Sequence, residues 1–205
     1  MHALGRNRME AFSDGVVAII VTIMVLELKP PHEHSPEALA RLLPVFLGYV
    51  LSFVVVAILW VNHHHLVHTA QHVSGRILWL NNHLLFWLSL VPFTTAWIGE
   101  SHLAPLPVAL YGLDLFFCGC AFDLLRREIA HQHVDDPVLG AVHRRSNRRN
   151  ALSAALYLAS VPLAWLSVWL SLGIFVLVPV LYFMPGRTIE QLALQEELGP
   201  ASPFT

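Results

Sequence analysis

The stretch that decides the fold is residues 8–28, which read RMEAFSDGVVAIIVTIMVLEL. Residues 11–28 are almost entirely apolar, and their acidic side chains, Asp14 and Glu27, lie only near the two ends. A helix that crosses the hydrocarbon core of a bilayer needs about 20 such residues. A pair of prolines beginning at Pro30 then stops the helix, because proline lacks the backbone N–H that a helix uses. The stretch therefore predicts a first membrane-spanning helix.

The composition of the whole chain agrees with a lipid environment. The protein has 205 residues, of which 56% are hydrophobic and only 13% charged. An ordinary soluble domain carries about 25% charged residues, so this chain lacks the charges to cover itself in water. Its net charge of −2 does not indicate nucleic acid as a partner. We expect the lipid bilayer to surround most of its surface.

Five further apolar runs follow the first. They cover residues 42–61, 77–98, 108–125, 151–167 and 170–184, the last two being joined by a tight turn within residues 167–173. The chain is therefore predicted to be an all-α integral membrane protein, a single domain of six transmembrane helices over residues 1–205.

The basic residues predict the orientation, because cytoplasmic loops carry an excess of Lys and Arg. With six spans, the outer segments hold only Lys29 and Arg41. All the other basic residues fall on the inner side: Arg6, Arg8, Arg76, Arg126, Arg127, Arg144, Arg145, Arg148, Arg149 and Arg187. Both termini are therefore predicted to be cytoplasmic.

Asp14 is an acidic residue inside a membrane helix. Such a residue costs about 2.5 kcal/mol or more at the bilayer centre and less near the interface. One interpretation is a signal for the start of the helix, since Ser13 and Asp14 suit the first turn and Arg8 suits the cytoplasmic side. The other is that Asp14 faces a partner or a water-filled cavity. The residues by themselves leave both interpretations open.

A specific motif stands at the same place. Arg8, Phe12, Ser13 and Asp14 form the pattern R-x-x-x-F-S-D, which continues through Gly15 into the apolar helix. Three later runs accompany it: WVNHH over residues 60–64, LWLN over residues 78–81 and LVPFTTA over residues 90–96. With these motifs, the chain resembles the transmembrane protein 175 family over about its first hundred residues.

The resemblance implies a potassium-permeable cation channel in the cell membrane of a bacterium. Its multi-pass subunits would have six helices and assemble as a homotetramer, with the four first helices lining a central pore for monovalent cations. The resemblance implies neither an enzyme nor a cofactor, and potassium is the permeant ion. Members of the family have no re-entrant P-loop filter, and the T-V-G-Y-G filter sequence does not occur in this chain.

The pore-lining residues also follow from the resemblance. The constriction position, seven residues after Phe12, is Ile19, and Thr22, Ile23 and Leu26 come next on the same helix face. A ring of isoleucines closes a pore by dewetting, and Thr22 would add a ring of hydroxyl groups. Without the resemblance, the same stripe would indicate ordinary helix packing.

The polar residues of the motif are expected to have a structural role. Arg8, Ser13 and Asp14 are predicted to form a polar network with His64 and Asn81 that positions the first helix.

Histidines after the second span offer a different interpretation. His64, His68 and His72 have the i, i+4 spacing that suits zinc or another transition metal, and His83 would be an axial ligand for haem. The first alternative function is therefore a metal- or haem-binding membrane protein. We expect a packing and hydrogen-bonding role instead, and so no metal site.

Two aspartates lie in the fourth predicted span. Asp123 is expected to pair with Arg126 and Arg127, whereas Asp114 is expected to form a hydrogen bond to the third span. A second alternative function, a cation or proton secondary transporter, would use Asp14, Asp114 and the histidines.

Overall fold

The computed structural model describes residues 2–133 and 137–183, and within these ranges every regular element is a helix. The helices are α1 (His2–Leu26), α2 (Pro36–Arg41), α3 (Leu43–Thr69), α4 (Gly75–Leu88), α5 (Val91–Glu100), α6 (Pro105–Ala130), α7 (Pro137–Leu166) and α8 (Val168–Phe183), with a 3₁₀ turn at His131–His133. The prediction of an all-helical protein is confirmed for the described residues.

Four stretches are long and apolar enough to cross a membrane. They are Gly5–Leu26, Leu43–Thr69, Gly75–Glu100 and Pro105–Ala130, and α8 supplies a shorter apolar helix over Val168–Tyr182. The last two of the four contain their predicted spans in full, the first lacks the last two residues of its span, and the second lacks the first residue of its span. Because backbone polar groups find no partners in lipid, a helix that satisfies its own N–H and C=O groups is the expected form for such segments.

The third predicted span is one apolar segment but two helices. The chain leaves α4 at Leu88 and resumes in α5 at Val91, with Pro92 in the first turn of the new helix. Proline fits that turn because its missing N–H would have no intrahelical partner there. The interruption therefore falls just before the proline. The apolar character of the segment does not by itself reveal this break.

Several helices extend beyond the apolar runs that predict them. α1 and α7 begin earlier than residues 11 and 151, and α3 continues to Thr69 instead of ending at residue 61. Polar residues continue a helix wherever they contact neighbouring helices or reach the water beyond the lipid, so apolar length sets only a minimum. The predicted last residue of the sixth span, Arg187 and the C-terminus lie outside the described residues.

The long helices alternate in direction. At one end, Arg76 at the start of α4 pairs with Glu128 near the end of α6 at 3.1 Å, and Arg6 in α1 donates to the carbonyl oxygen of His68 in α3 at 3.4 Å. At the other end, Lys29 after α1 pairs with Glu100 at the end of α5 at 3.3 Å. Successive segments therefore run up and down.

Helix α6 lies at the centre of the packing, between α4, α5 and α7. Its Tyr111 is buried, meets the ring of Phe175 edge to face at 4.9 Å between centroids, and shares a 2.9 Å hydrogen bond with Ser52. A Cβ atom on Gly112 would lie 2.2 Å from the Oγ of Ser160, so α6 and α7 approach closely only because this residue is glycine.

Both predictions for the aspartates of α6 are confirmed. Asp123 accepts from Arg126 and from Arg127, each at 2.6 Å. Asp114 is buried and accepts a 3.1 Å hydrogen bond from the hydroxyl group of Thr94, which belongs to the third predicted span.

Candidate functional site

Helix α1 has one buried face and one exposed face. Met9, Ser13, Ile20 and Met24 are each at most 3% exposed and pack against the rest of the protein. The opposite face carries the four residues predicted to line a pore: Ile19, Thr22, Ile23 and Leu26. All four are exposed, although three are large and apolar, so the packing of a single chain leaves this stripe without a cover.

Thr22 has an acceptor oxygen available on that exposed stripe. Its hydroxyl group donates to the carbonyl oxygen of Ile19 at 2.8 Å, one turn earlier in the same helix. The proton is therefore directed back into the helix. The lone pairs of the hydroxyl oxygen remain available to a cation or to water.

A hydrogen-bonded network holds the middle of the buried face. The amide nitrogen of Asn81 in α4 donates to the hydroxyl oxygen of Ser13 at 2.9 Å, and Ser13 donates to the carbonyl oxygen of Met9 at 2.8 Å. The Nε2 of His63 in α3 lies 2.7 Å from the Oδ1 of Asn81. All three side chains are buried, so each satisfies polar groups that would otherwise be left without partners.

This network includes Ser13 and Asn81, as predicted, but it contains His63 where the prediction had His64. The two histidines are neighbours on α3, and adjacent residues of a helix point about 100° apart. Sequence proximity to the motif cannot decide between them. Only the rotation of α3 does, and it turns His63 inward towards Asn81.

A second set of contacts joins α1 to α3 along their polar ends. Asp14 accepts a 2.8 Å hydrogen bond from the indole N–H of Trp60, and Glu10 lies 2.9 Å from the Nδ1 of His64. One turn further, Arg6 donates to the carbonyl oxygen of His68. Each step of four residues back along α1 meets a step of four residues forward along α3. The two helices are therefore antiparallel and in a regular register. We call these three contacts between the helices the α1–α3 ladder.

The remaining motif residues lie outside these contacts. Phe12 is 58% exposed, and Arg8 is also exposed and forms no side-chain hydrogen bond or ion pair with the described residues. The expected link between Arg8 and Asp14 is therefore not formed within one chain.

Glu10 completes a cluster that sequence reasoning did not identify. It lies 2.9 Å from His64 and 3.2 Å from the Nε2 of His68, and one ligand atom from each of the three residues lies within 4.8 Å of the others. The expected third member, His72, is absent from the cluster because α3 ends at Thr69 and helical spacing no longer applies beyond it. A sequence signal did exist, since Glu10 is one turn before Asp14 on the same face of α1.

The predicted haem ligand has another role in the structure. The Nε2 of His83 accepts a 2.9 Å hydrogen bond from the indole N–H of Trp87, one turn later in α4, and its side chain is exposed. The alternative function of a cation or proton secondary transporter rested partly on Asp114. One carboxylate oxygen of Asp114 accepts from Thr94, and the other, Oδ1, is buried without a hydrogen bond.

A groove of about 630 Å³ runs along the exposed stripe of α1. Ile19 and Ile23 line it from α1, and Phe93 and Trp97 line it from α5. Two acidic residues, Glu27 and Glu100, also line it where α1 and α5 end. The groove therefore continues the uncovered apolar surface from α1 onto α5.

Known proteins share both this sequence and this fold. The sequence profile of the family described as "Endosomal/lysosomal potassium channel TMEM175" matches residues 8–92. A potassium channel of Chryseobacterium sp. (strain P1-3) is 43% identical over 187 residues, 91% of this chain and 96% of the relative. A potassium channel of Streptomyces collinus is 35% identical over 189 residues, 86% of this chain and 90% of the relative.

The fold agrees with a solved structure as well. The crystal structure of a lysosomal potassium-selective channel TMEM175 homologue from Chamaesiphon minutus superposes with a TM-score of 0.75 at 28% identity, and the match covers 87% of this chain and 96% of that one. Identity of 43% along nearly the full length of a relative, together with the same fold, shows common descent. This chain belongs to the transmembrane protein 175 family.

Proposed function

We propose that the chain forms a potassium-permeable cation channel whose pore is lined by α1. The observation that carries the proposal is the exposed stripe of Ile19, Thr22, Ile23 and Leu26 on a helix whose opposite face is buried. A helix firmly packed on one side and uncovered on the other is what a pore-lining helix requires. The relatives named as potassium channels, and the potassium-selective homologue of known structure, support potassium as the permeant ion.

Four copies of the chain would form the channel. One α1 cannot enclose a pathway for ions, whereas a closed ring of identical subunits brings identical residues to one axis. The uncovered groove between α1 and α5 supports this assembly, because it leaves apolar surface for the α1 helix of a neighbouring subunit.

The narrowest part of the pore would be a ring of Ile19 side chains. Such a ring excludes water when it is closed and so acts as a hydrophobic gate. Thr22, whose proton is directed into its own helix, would present a ring of oxygen atoms one turn away. The ladder and the network of Ser13, Asn81 and His63 would then act as structural supports that fix the rotation of α1 about its axis.

The subunit would span the membrane six times with both termini in the cytoplasm, α7 and α8 being the fifth and sixth spans. The hydroxyl group of Tyr182 near the end of α8 donates to Asn150 in α7 at 2.9 Å, so α8 returns to the end of the molecule where Asn150 lies. The arginines of α1, α4 and α6 gather at one end, as the positive-inside rule requires of a cytoplasmic face. The bacterial relatives support the cell membrane of a bacterium as its location.

Potassium flux tests the proposal. We would reconstitute the purified chain in liposomes with an imposed potassium gradient and compare wild type, Ile19→Ala and Val176→Ala. Val176 on α8 is also apolar and 52% exposed, so it controls for the truncation of an exposed apolar side chain outside α1. We expect wild-type flux that needs no co-ion gradient, a several-fold rise for Ile19→Ala, and no change for Val176→Ala.

Three results would overturn parts of the proposal. Absence of potassium flux from well-folded wild-type protein would remove the channel function. Unchanged flux in an intact Ile19→Ala assembly would remove Ile19 as the constriction. A mass by light scattering or native mass spectrometry that differs from four chains would remove the tetramer.

A further inference from the structure

We propose that Glu10, His64 and His68 form a binding site for a divalent transition metal of the zinc type, which joins α1 to α3 at one end of the molecule. The site goes beyond the channel function, and its occupancy does not depend on whether the chain conducts potassium. Two histidines and one carboxylate, with water as a fourth ligand, are a ligand set that zinc commonly uses.

The distances between the three residues fit a single ion. The Oε1 of Glu10 is 2.9 Å from the Nδ1 of His64 and 3.2 Å from the Nε2 of His68. Zinc binds nitrogen and oxygen at about 2.0–2.1 Å, and two ligands of a tetrahedral ion are then about 3.3 Å apart. The two distances from Glu10 are therefore close to the edge of a coordination tetrahedron, and all three ligand atoms lie within 4.8 Å of one another.

The contact between Glu10 and His64 does not have the geometry of an ordinary hydrogen bond. The Nδ1 of His64 is buried and makes no hydrogen bond, although the Oε1 of Glu10 is only 2.9 Å away. The direction of the imidazole ring therefore does not suit an N–H···O contact. A buried nitrogen without a hydrogen-bond partner, beside a carboxylate oxygen, has the arrangement of two ligands that share a metal ion.

The cluster is also accessible from solvent. The side chain of His68 is 51% exposed and that of His64 is 38% exposed, whereas Glu10 is 17% exposed. The carboxylate lies on the more buried side of the cluster, and the more exposed imidazoles leave an open side for the ion and for a water ligand. Arg6, one turn before Glu10 on α1, donates to the backbone carbonyl oxygen of His68 at 3.4 Å.

A neighbouring histidine provides a matched control. His65 lies on α3 between the two histidine ligands and is exposed, like His68, but it does not belong to the cluster. Loss of His65 therefore removes an exposed imidazole without removing a ligand.

Zinc titration of the full-length chain tests the site. We would purify wild type, Glu10→Gln, His68→Ala and His65→Ala without a polyhistidine tag and titrate each with Zn²⁺ by isothermal calorimetry in detergent. We expect one strong Zn²⁺ site per chain in wild type and in His65→Ala. We expect at least a tenfold weaker affinity in Glu10→Gln and in His68→Ala. Size-exclusion profiles identical to that of wild type establish that the variants are folded.

Two further readouts strengthen the test. A ligand that binds only the folded chain raises its melting temperature, so Zn²⁺ should stabilise wild type but not Glu10→Gln, which keeps the shape of the glutamate side chain. Cobalt(II) in a four-coordinate site absorbs intensely in the visible region, and this absorption should be lost in His68→Ala. The proposal is overturned if wild type binds no Zn²⁺, if His65→Ala weakens binding as much as His68→Ala does, or if both ligand variants bind like wild type.

Discussion

Asp14 in α1 and Trp60 in α3 are joined by a 2.8 Å hydrogen bond from the indole N–H to the carboxylate, at the step of the α1–α3 ladder nearest the exposed apolar stripe. The contact gives the acidic residue of the R-x-x-x-F-S-D motif a fixed partner on another helix. It therefore combines the two interpretations that the sequence leaves open, since Asp14 lies near the start of the apolar run and also has a specific partner.

Removing the indole donor should loosen the polar half of α1. In Trp60→Phe, Asp14 keeps its charge but loses its partner, and we expect the free energy of unfolding to fall by about 1 kcal/mol because both groups are partly exposed. Amide hydrogen exchange along α1 should become faster. Trp79→Phe is the control, since Trp79 is 77% exposed and the same truncation there should change neither quantity. Equal effects in the two variants would contradict a specific role for the contact.

Removing the central amide of the buried network should have a larger effect. Asn81→Ala leaves Ser13 without its amide donor and His63 without its 2.7 Å partner, and both are buried. An unsatisfied buried polar group costs about 1–3 kcal/mol, so we expect a clear fall in the thermal midpoint in detergent. Asn82→Ala, at an exposed neighbouring position, should behave like wild type. A fall of similar size in both would mean that the network does not stabilise the fold.

The hydroxyl group of Thr22 should influence ion flux without affecting stability. Thr22→Val keeps the shape of an exposed side chain but removes the hydroxyl oxygen whose lone pairs are available to a cation. If Thr22 lines the pore, potassium flux through liposomes should fall several-fold while the free energy of unfolding stays within about 0.5 kcal/mol of wild type. Unchanged flux would place the ion pathway elsewhere.

The contact between α6 and α7 should not tolerate a larger residue than glycine. In Gly112→Ala the new Cβ would lie 2.2 Å from the Oγ of Ser160, and overpacking of this kind costs about 1–3 kcal/mol. Gly119→Ala is the control, because no atom lies within 4 Å of a Cβ there. Adding Ser160→Ala to Gly112→Ala should restore part of the lost thermal stability. No recovery in the double variant would show that the obstacle is not the hydroxyl group.

A variant of Asp114 distinguishes a channel from a transporter that uses an intramembrane carboxylate. In Asp114→Asn the amide oxygen can still accept from Thr94, so the packing of α5 on α6 should be kept. We expect passive potassium flux within about twofold of wild type. Loss of flux in folded protein, or a wild-type flux that requires a proton gradient, would instead favour a transporter that moves a proton through this residue.

Much of the fold could be predicted because lipid imposes a simple length requirement. The four stretches that are long and apolar enough to cross a membrane overlap the first four predicted spans, since any stretch that crosses about 30 Å of hydrocarbon must be a long and predominantly apolar run. The break before Pro92 and the extension of α3 to Thr69 could not be predicted from the apolar runs. Both depend on backbone chemistry and on neighbouring helices, and hydropathy does not record either.

In the candidate site, too, some features could be predicted from the sequence and others could not. The exposure of Ile19, Thr22, Ile23 and Leu26 agrees with their predicted place on one face, because helical spacing is a local property. The partners of the polar residues were predicted less well. Asn81 and Ser13 do meet, but the third member is His63 rather than His64, and Glu10 replaces His72 in the histidine cluster.

The sequence by itself determined that the chain is helical, apolar and a member of its family, because composition, apolar length and the R-x-x-x-F-S-D motif are all local features of residues 8–28 and the runs that follow. Only the tertiary structure decided which polar side chains meet. The ladder brings together residues such as Asp14 and Trp60, 46 positions apart, and its register is set by how two antiparallel helices rotate and slide against each other. That rotation depends on packing against α4 and α5 at the same time, so no single segment of the chain contains it.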